Sequence, residues 1–125
     1  MDFKIDTTDT YVHIGVPAAA LDEIMAAALE ERVGQLTYYG SNNFLIDLSA
    51  CQSADENGFE ALATWHEQLY SEGRSLVFTG LQPGVLAVAK EAQLDGALNI
   101  APTEIEAVDI ISMEILERDL FGEES

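Results

Sequence analysis

The chain has 125 residues, 48% of them apolar, and its 23 acidic residues outnumber five basic ones, which gives a net charge of −18. This length and composition indicate one folded domain, residues 1–125, and exclude a disordered tail. Because such a surface repels phosphate backbones and anionic lipid headgroups, the charge argues against nucleic-acid binding and against a role at membrane surfaces.

The acidity has two interpretations, which the sequence leaves open. One is a partner with a basic face, whose approach the charge would steer, and the other is adaptation to a saline habitat. We expect a cytoplasmic protein without membrane insertion, since no apolar run reaches the roughly 18 residues of a membrane span and no secretory signal opens the chain. The single cysteine, Cys51, suits a reducing compartment. We expect it to be an unreactive loop or core residue, because nearby acids keep a thiol protonated.

The first half of the chain predicts two strands, a helix and a third strand. Alternating apolar residues indicate strands at residues 3–6 and 11–16, which suit an antiparallel hairpin. Residues 18–33 are rich in Ala, Leu and Glu and carry an apolar stripe with a spacing of four, which predicts a helix. After a predicted loop at residues 37–43, residues 44–48 are almost entirely apolar and predict a central strand that is buried on both faces.

The second half alternates helix and strand. A loop at residues 50–54 leads to a predicted helix whose pattern begins at Phe59 and ends before Gly73. The later elements are a buried strand at residues 75–79, a short helix at 85–92 and an edge strand at 97–100. A last helix runs to about Leu120, and Thr103 as N-cap with Glu106 three residues later fits a capping box at its start.

This order predicts an α/β fold, in which a small mixed sheet packs with about four helices. The sheet would begin with an antiparallel hairpin and continue with parallel strands joined by right-handed crossovers. The core would span about residues 3–120, and residues 121–125 are predicted to be a frayed tail.

Two carboxylates, those of Asp55 and Glu56, stand where the second helix opens. The free backbone N–H groups and the dipole at a helix start favour negative charge. An acidic residue there either caps the helix, a contribution of about 0.3–1 kcal/mol, or forms part of an exposed recognition surface. For Glu56 we favour a surface role in addition to capping.

The ordered set of motifs resembles the STAS domain, the fold of bacterial anti-sigma factor antagonists. The family pattern is an apolar strand ending in Asp-Leu-Ser, then a loop, then Asp-Ser-Ser-Gly at the opening of a helix. Here residues 47–49 read Asp-Leu-Ser and residues 55–58 read Asp-Glu-Asn-Gly. The similarity extends from about Tyr11 to Leu116.

The resemblance implies that Glu56 stands at the position of the family's phosphoacceptor serine, and Asn57 at that of the next serine. In the family, a kinase that is also an anti-sigma factor binds the unmodified serine form and releases the phosphorylated one. Both hydroxyls are missing here, so that switch cannot operate at this site. Glutamate supplies one charge where phosphoserine supplies nearly two, so Glu56 would hold the surface in a state similar to the modified one.

The implied function is a non-enzymatic protein–protein interaction module in a partner-switching pathway, with an anti-sigma factor of the serine-kinase type as partner. The alternative is a STAS subunit of an ABC-type phospholipid transport complex, which would bind its ATPase through the same helix start. The predicted partner-binding residues are Ser53, Asp55, Glu56, Asn57 and Gly58. Ser53 is also a weaker candidate phosphoacceptor.

Catalysis, a cofactor and a bound metal are not expected. The sequence offers no nucleophile–base pair and no phosphate-cradling loop, and its histidines, His13 and His66, lack metal-ligand spacing. Trp65 is either a packing anchor or an exposed contact. The last helix carries more apolar residues than a core-facing stripe needs, and the surplus is either buried or forms a homodimer or partner contact through Ile110, Met113 and Leu120.

Overall fold

The computed structural model describes residues 1–122 and contains seven strands and four helices in that range. In chain order these are β1 (Lys4–Thr7), β2 (Val12–Gly15), β3 (Ala20–Leu21), α1 (Glu23–Tyr38), β4 (Asn43–Asp47), β5 (Ser53–Ala54), α2 (Glu56–Ser71), β6 (Ser75–Thr79), α3 (Pro83–Glu91), β7 (Ile100–Ala101) and α4 (Glu104–Gly122). Residues 121–122 of the predicted frayed tail belong to α4, and residues 123–125 lie outside the described residues. No helix within residues 1–122 is long and apolar enough to cross a bilayer.

Five strands form the main sheet in the order β1-β2-β4-β6-β7. Strands β1 and β2 pair antiparallel, whereas β2–β4, β4–β6 and β6–β7 pair parallel. This confirms the predicted mixed sheet with its N-terminal hairpin. Strand β4 lies in the middle, and its residues Phe44, Leu45 and Ile46 are fully buried, as expected of a strand covered on both faces.

Helices cover both faces of the sheet, because alternate residues of the central strands point to opposite sides. On one face, Phe44 and Ile46 of β4 pack in a large core with residues of α1, α2 and α3. On the other face, Leu45 packs in a smaller core with Ala107 and Ile111 of α4. The domain therefore has three layers, with α4 alone on the second face.

The first helix differs from the prediction at both ends. It begins at Glu23 rather than at residue 18, and it continues to Tyr38. The Asp22 side chain accepts a hydrogen bond from the Met25 N–H at 2.9 Å and so caps the helix start. The preceding residues, Ala20 and Leu21, pair with Ser53 and Ala54 in a two-stranded parallel ladder. That pairing and the cap outweigh the helix propensity of the alanines, which amounts to less than about 1 kcal/mol per residue.

Three other boundaries shift by a few residues. Helix α2 begins at Glu56 rather than at Phe59, and α3 begins at Pro83, where proline suits the first helical position. The edge strand is Ile100–Ala101 rather than residues 97–100. The predicted Thr103 cap is confirmed, since its hydroxyl accepts the Glu106 N–H at 3.2 Å.

A polar network joins α4 to the sheet. Arg118 of α4 donates to the Ser75 hydroxyl at 3.0 Å and to the Asn43 side chain at 2.8 Å. The Ser75 hydroxyl in turn donates to Glu114 at 2.7 Å, and the Asn99 amide donates to the same carboxylate at 2.8 Å. The side chains of Arg118 and Glu114 therefore point to the sheet side of α4 and hold the helix there by hydrogen bonds.

Candidate functional site

Two helices start side by side at one end of the domain, and each is capped by an aspartate. Asp55 accepts the Gly58 N–H at 2.7 Å and caps α2, as Asp22 caps α1. The ladder of β3 with β5 leads into both caps, and the Asp55 N–H donates to the Leu21 carbonyl at 3.1 Å. The two helix starts are therefore fixed against each other by backbone hydrogen bonds.

The two carboxylates at the start of α2 have different roles. The side chain of Asp55 makes the capping hydrogen bond, whereas Glu56 is the first residue of the helix and is exposed, as is Asn57. The capping hydrogen bond that was predicted for Glu56 is therefore made by Asp55 instead. The carboxylate of Glu56 faces solvent at the positive end of the helix dipole, and the dipole stabilises the negative charge.

Gly58 allows α2 to start where it does. This residue is buried, and a Cβ at its position would lie 2.7 Å from the Leu21 carbonyl oxygen and 2.8 Å from the Asp22 Cα. Those neighbours are backbone atoms, which cannot rotate away. The glycine is therefore a requirement of close packing between the two helix starts, and its backbone N–H is already taken by the cap.

The other predicted site residue, Ser53, lies in β5 and is exposed. Its backbone N–H donates to the Ala19 carbonyl at 3.1 Å. The structure thus brings Ser53, Asp55, Glu56 and Asn57 to one solvent-facing edge, with Gly58 beneath it. The residues predicted on the last helix belong to α4, which packs on the opposite face of the sheet.

A groove of about 450 Å³ between α1 and α2 adjoins this edge. It shares Asn57 with the predicted residues, and three carboxylates, those of Glu23, Glu30 and Glu60, line it. Trp65 also lines the groove but is only 5% exposed, so it is a packing anchor. The groove was not predicted, because nothing in the chain order indicates that Glu23 and Glu30 of α1 face Glu60 of α2.

Cys51 lies in the loop that precedes β5 and is fully buried. Burial raises the pKa of its thiol, and the carboxylates of Asp22 and Asp47 raise it further. A raised pKa favours the protonated thiol at neutral pH, and the buried position agrees with the expected core residue.

The histidines are a rim residue and a half-buried residue. His13 lies with its Nε2 3.7 Å from Glu104 and 3.9 Å from Asp47. Within residues 1–122, no three side chains of His, Cys, Asp or Glu are grouped closely enough to hold a metal. His66 lies on α2 and stacks on Tyr70, with ring centroids 6.3 Å apart.

The titration of His66 gives a testable pH dependence. Partial burial lowers the pKa of His66 below the usual 6.5, and the carboxylates of Glu114 and Glu67 only partly oppose this. Between the folded pKa and 6.5 the unfolded chain binds more protons than the folded chain. The contribution of His66 to the free energy of unfolding is therefore fully present above pH 6.5 and is lost as the pH falls through this range. We expect the free energy of unfolding, measured in urea from about pH 7 to pH 5, to fall more steeply for the wild type than for His66→Gln. Parallel slopes would contradict this assignment.

Comparisons with known proteins agree with this arrangement. A family model described as "Mlab, STAS domain" matches residues 18–102, whereas no curated protein matches the chain. Protein TM1081 of Thermotoga maritima has a TM-score of 0.73 at 20% identity, with 90% of each chain covered. An anti-sigma factor antagonist from Mycobacterium paratuberculosis has a TM-score of 0.71 at 22% identity, covering 89% of this chain and 93% of the other.

A third solved structure is a serine-to-glutamate variant of RsbS from Moorella thermoacetica. Its TM-score is 0.69 at 22% identity, and the alignment covers 90% of this chain and 96% of that one. At these identities the structural likeness concerns the fold. The family match covers residues 18–102, which is more than half of the chain and includes both capped helix starts. The chain therefore belongs to the STAS domain family.

Proposed function

We propose that this STAS domain is a non-enzymatic regulator of the anti-sigma factor antagonist type, which binds a protein partner through the start of α2. The binding residues are Ser53, Asp55, Glu56, Asn57 and Gly58, the last by holding the backbone in place. The observation that carries the proposal is the division of roles between the carboxylates: Asp55 caps the helix, and this leaves Glu56 exposed at the helix start.

Glu56 acts here as a permanent anion where related domains carry a serine that gains and loses phosphate. A phosphoserine at a helix start has nearly two negative charges, and glutamate provides one at nearly the same place. The surface then has one state, and a partner must recognise that state. A solved structure of RsbS that carries a serine-to-glutamate replacement has the same fold as this chain.

The partner presents a basic surface to this edge. The groove next to Asn57 is lined by Glu23, Glu30 and Glu60, so the negative charge of the site continues along α1 and α2. The net charge of −18 steers a basic partner toward the domain and repels an acidic one. An anti-sigma factor of the serine-kinase type with a basic pocket fits this description.

A second candidate function is favoured by the name Mlab in the description of the matching family model. Single STAS domains also serve as small subunits of ABC-type phospholipid transport complexes, and the start of α2 would then contact the ATPase. This function requires a stable, stoichiometric complex, whereas a regulator exchanges its partner reversibly.

Charge reversal at Glu56 tests the proposed surface. We expect Glu56→Lys to weaken binding of the natural partner about tenfold or more, because an attractive contact at a basic surface becomes repulsive. The measurement is affinity purification of the tagged domain from its own cells, followed by titration of the recovered partner by calorimetry.

The control is Asp9→Lys. Asp9 is likewise an exposed carboxylate, but it lies in the turn between β1 and β2, at the end of the sheet where the parallel strands begin. Partner binding that is equal for Glu56→Lys and the wild type contradicts the proposal. Recovery of an ATPase in a fixed ratio that survives washing, lost only in Glu56→Lys, supports the transport subunit instead.

A further inference from the structure

Helix α4 has an exposed apolar stripe in addition to the side that packs on the sheet. Ile105 is 76% exposed, Met113 61%, Leu116 60% and Leu120 57%. Ala107 and Ile111, by contrast, are buried in the small core against the sheet. The exposed residues are large apolar side chains of the kind that surfaces usually contain singly rather than in a row.

The spacing of these four residues aligns them along one side of the helix. Ile105 and Leu116 are eleven residues apart, which is about three turns. Met113, Leu116 and Leu120 follow the i, i+3, i+7 pattern that brings side chains onto the same side. Ile110 was predicted to form a contact together with Met113 and Leu120, but it is half-buried against the small core and does not belong to this stripe.

Carboxylates border the stripe on both sides. Glu106 and Glu117 lie along one border, Asp119 lies along the other, and Asp109 lies between Ile105 and Met113; all four are exposed. The one basic residue of α4 in residues 104–120 is Arg118, whose guanidinium is bonded to Ser75 and Asn43 on the sheet side. The stripe therefore has acidic borders and no cation of its own helix beside it.

This charge pattern selects the occupant. A second copy of the chain would bring the same carboxylates against one another, and each copy carries a net charge of −18. A helix with apolar residues along one side and Lys or Arg beside them satisfies both the stripe and its borders. We propose that the outer side of α4 is a second docking surface, which takes a basic amphipathic helix from a protein partner.

The second docking surface is independent of the start of α2. Helix α4 packs on the sheet face opposite to α1 and α2. A helix bound to the outer side of α4 therefore leaves the start of α2, with Glu56, free. The domain can then hold two protein segments at once, one on each side of its sheet, and act as a bridge between them.

A designed peptide tests this surface directly. The probe is a fluorescent peptide of about three heptads, with leucine at positions a and d and lysine at e and g; a matched peptide carries glutamate at e and g. We expect the lysine peptide to bind the wild type and the double variant Met113→Ser/Leu116→Ser to bind it about tenfold more weakly. Binding should also weaken several-fold as salt is raised from about 50 mM to about 500 mM.

Two controls keep the test specific. The variant Ile24→Ser removes a side chain that is 78% exposed, but on α1 at the other face, and it should bind the lysine peptide like the wild type. Circular dichroism should show unchanged melting of all variants, since the replaced side chains are exposed. Binding that is insensitive to the double variant, lost in Ile24→Ser, or equal for the glutamate peptide overturns the proposal. Sedimentation showing a wild-type dimer that the double variant disperses also overturns it, because the occupant would then be a second copy.

Discussion

The Gly58→Ala variant is expected to lose about 1–3 kcal/mol of stability, although alanine normally favours a helix. The new Cβ would stand 2.7 Å from the Leu21 carbonyl oxygen and 2.8 Å from the Asp22 Cα. Relief requires α2 to move away from the backbone at the start of α1, which stretches the Asp55 cap and the β3–β5 ladder together. The measurement is urea denaturation, with the midpoint read at constant m-value.

The chain provides a matched control in Gly34. This glycine lies in α1, and a Cβ at its position would meet no atom within 4 Å. Gly34→Ala should therefore stabilise the domain by about 0.5–1 kcal/mol, the ordinary helix-propensity gain. Opposite signs for the two variants identify close packing as the cause. A gain in stability for both would mean that the two helix starts can separate at little cost.

The parts of the fold that could be predicted are those whose residues carry a strong local pattern. Strand β4 is central, so its run of apolar residues reflects burial on both faces, and its place in the sheet was predicted correctly. The Thr103 cap was predicted from the spacing of two residues, Thr103 and Glu106, and its hydroxyl bond is observed.

Features that depend on contacts between distant segments could not be predicted. The ladder of Ala20–Leu21 with Ser53–Ala54 has two residues per strand, which is too short for any alternation to be visible. The signal that could have located the start of α1 was Asp22, a residue type favoured at N-caps, three residues before Met25. The groove between α1 and α2 had no signal in the chain order, because its carboxylates come from two helices.

The place of the site in the chain was predicted, but the arrangement of its side chains was not. The sequence indicated a helix start with two acids and predicted for Glu56 a surface role in addition to capping. The position of each residue relative to the helix determines which one caps it. Asp55 precedes the helix and accepts the hydrogen bond from the Gly58 N–H, whereas Glu56 is already inside the helix. Residue type alone cannot make this distinction, since both carboxylates suit a helix start.

The second large effect concerns Glu56→Ser. Serine at this position would have a hydroxyl next to the Asp55 cap and exposed to solvent, at the position that we propose corresponds to the phosphoacceptor of related domains. The variant loses one permanent charge and, when phosphorylated, gains nearly two. The loss of the glutamate at the helix start should cost only about 0.3–1 kcal/mol of stability, so the variant is expected to fold.

We expect a kinase-type anti-sigma factor from the same genome to transfer labelled phosphate from ATP to Glu56→Ser and to leave the wild type and Glu104→Ser unlabelled. Glu104→Ser is the matched control, because it places the same hydroxyl at the first residue of α4 without the neighbouring site. The phosphorylated variant should bind partners as the wild type does, since a negative charge has returned to the same place. The unphosphorylated variant should bind them about tenfold more weakly, because that charge is missing.

Two outcomes would contradict this assignment. Label in the wild type that Ser53→Ala removes would move the phosphoacceptor to β5. Equal labelling of Glu56→Ser and Glu104→Ser would show that the kinase does not recognise the start of α2, and the proposed surface would then be wrong.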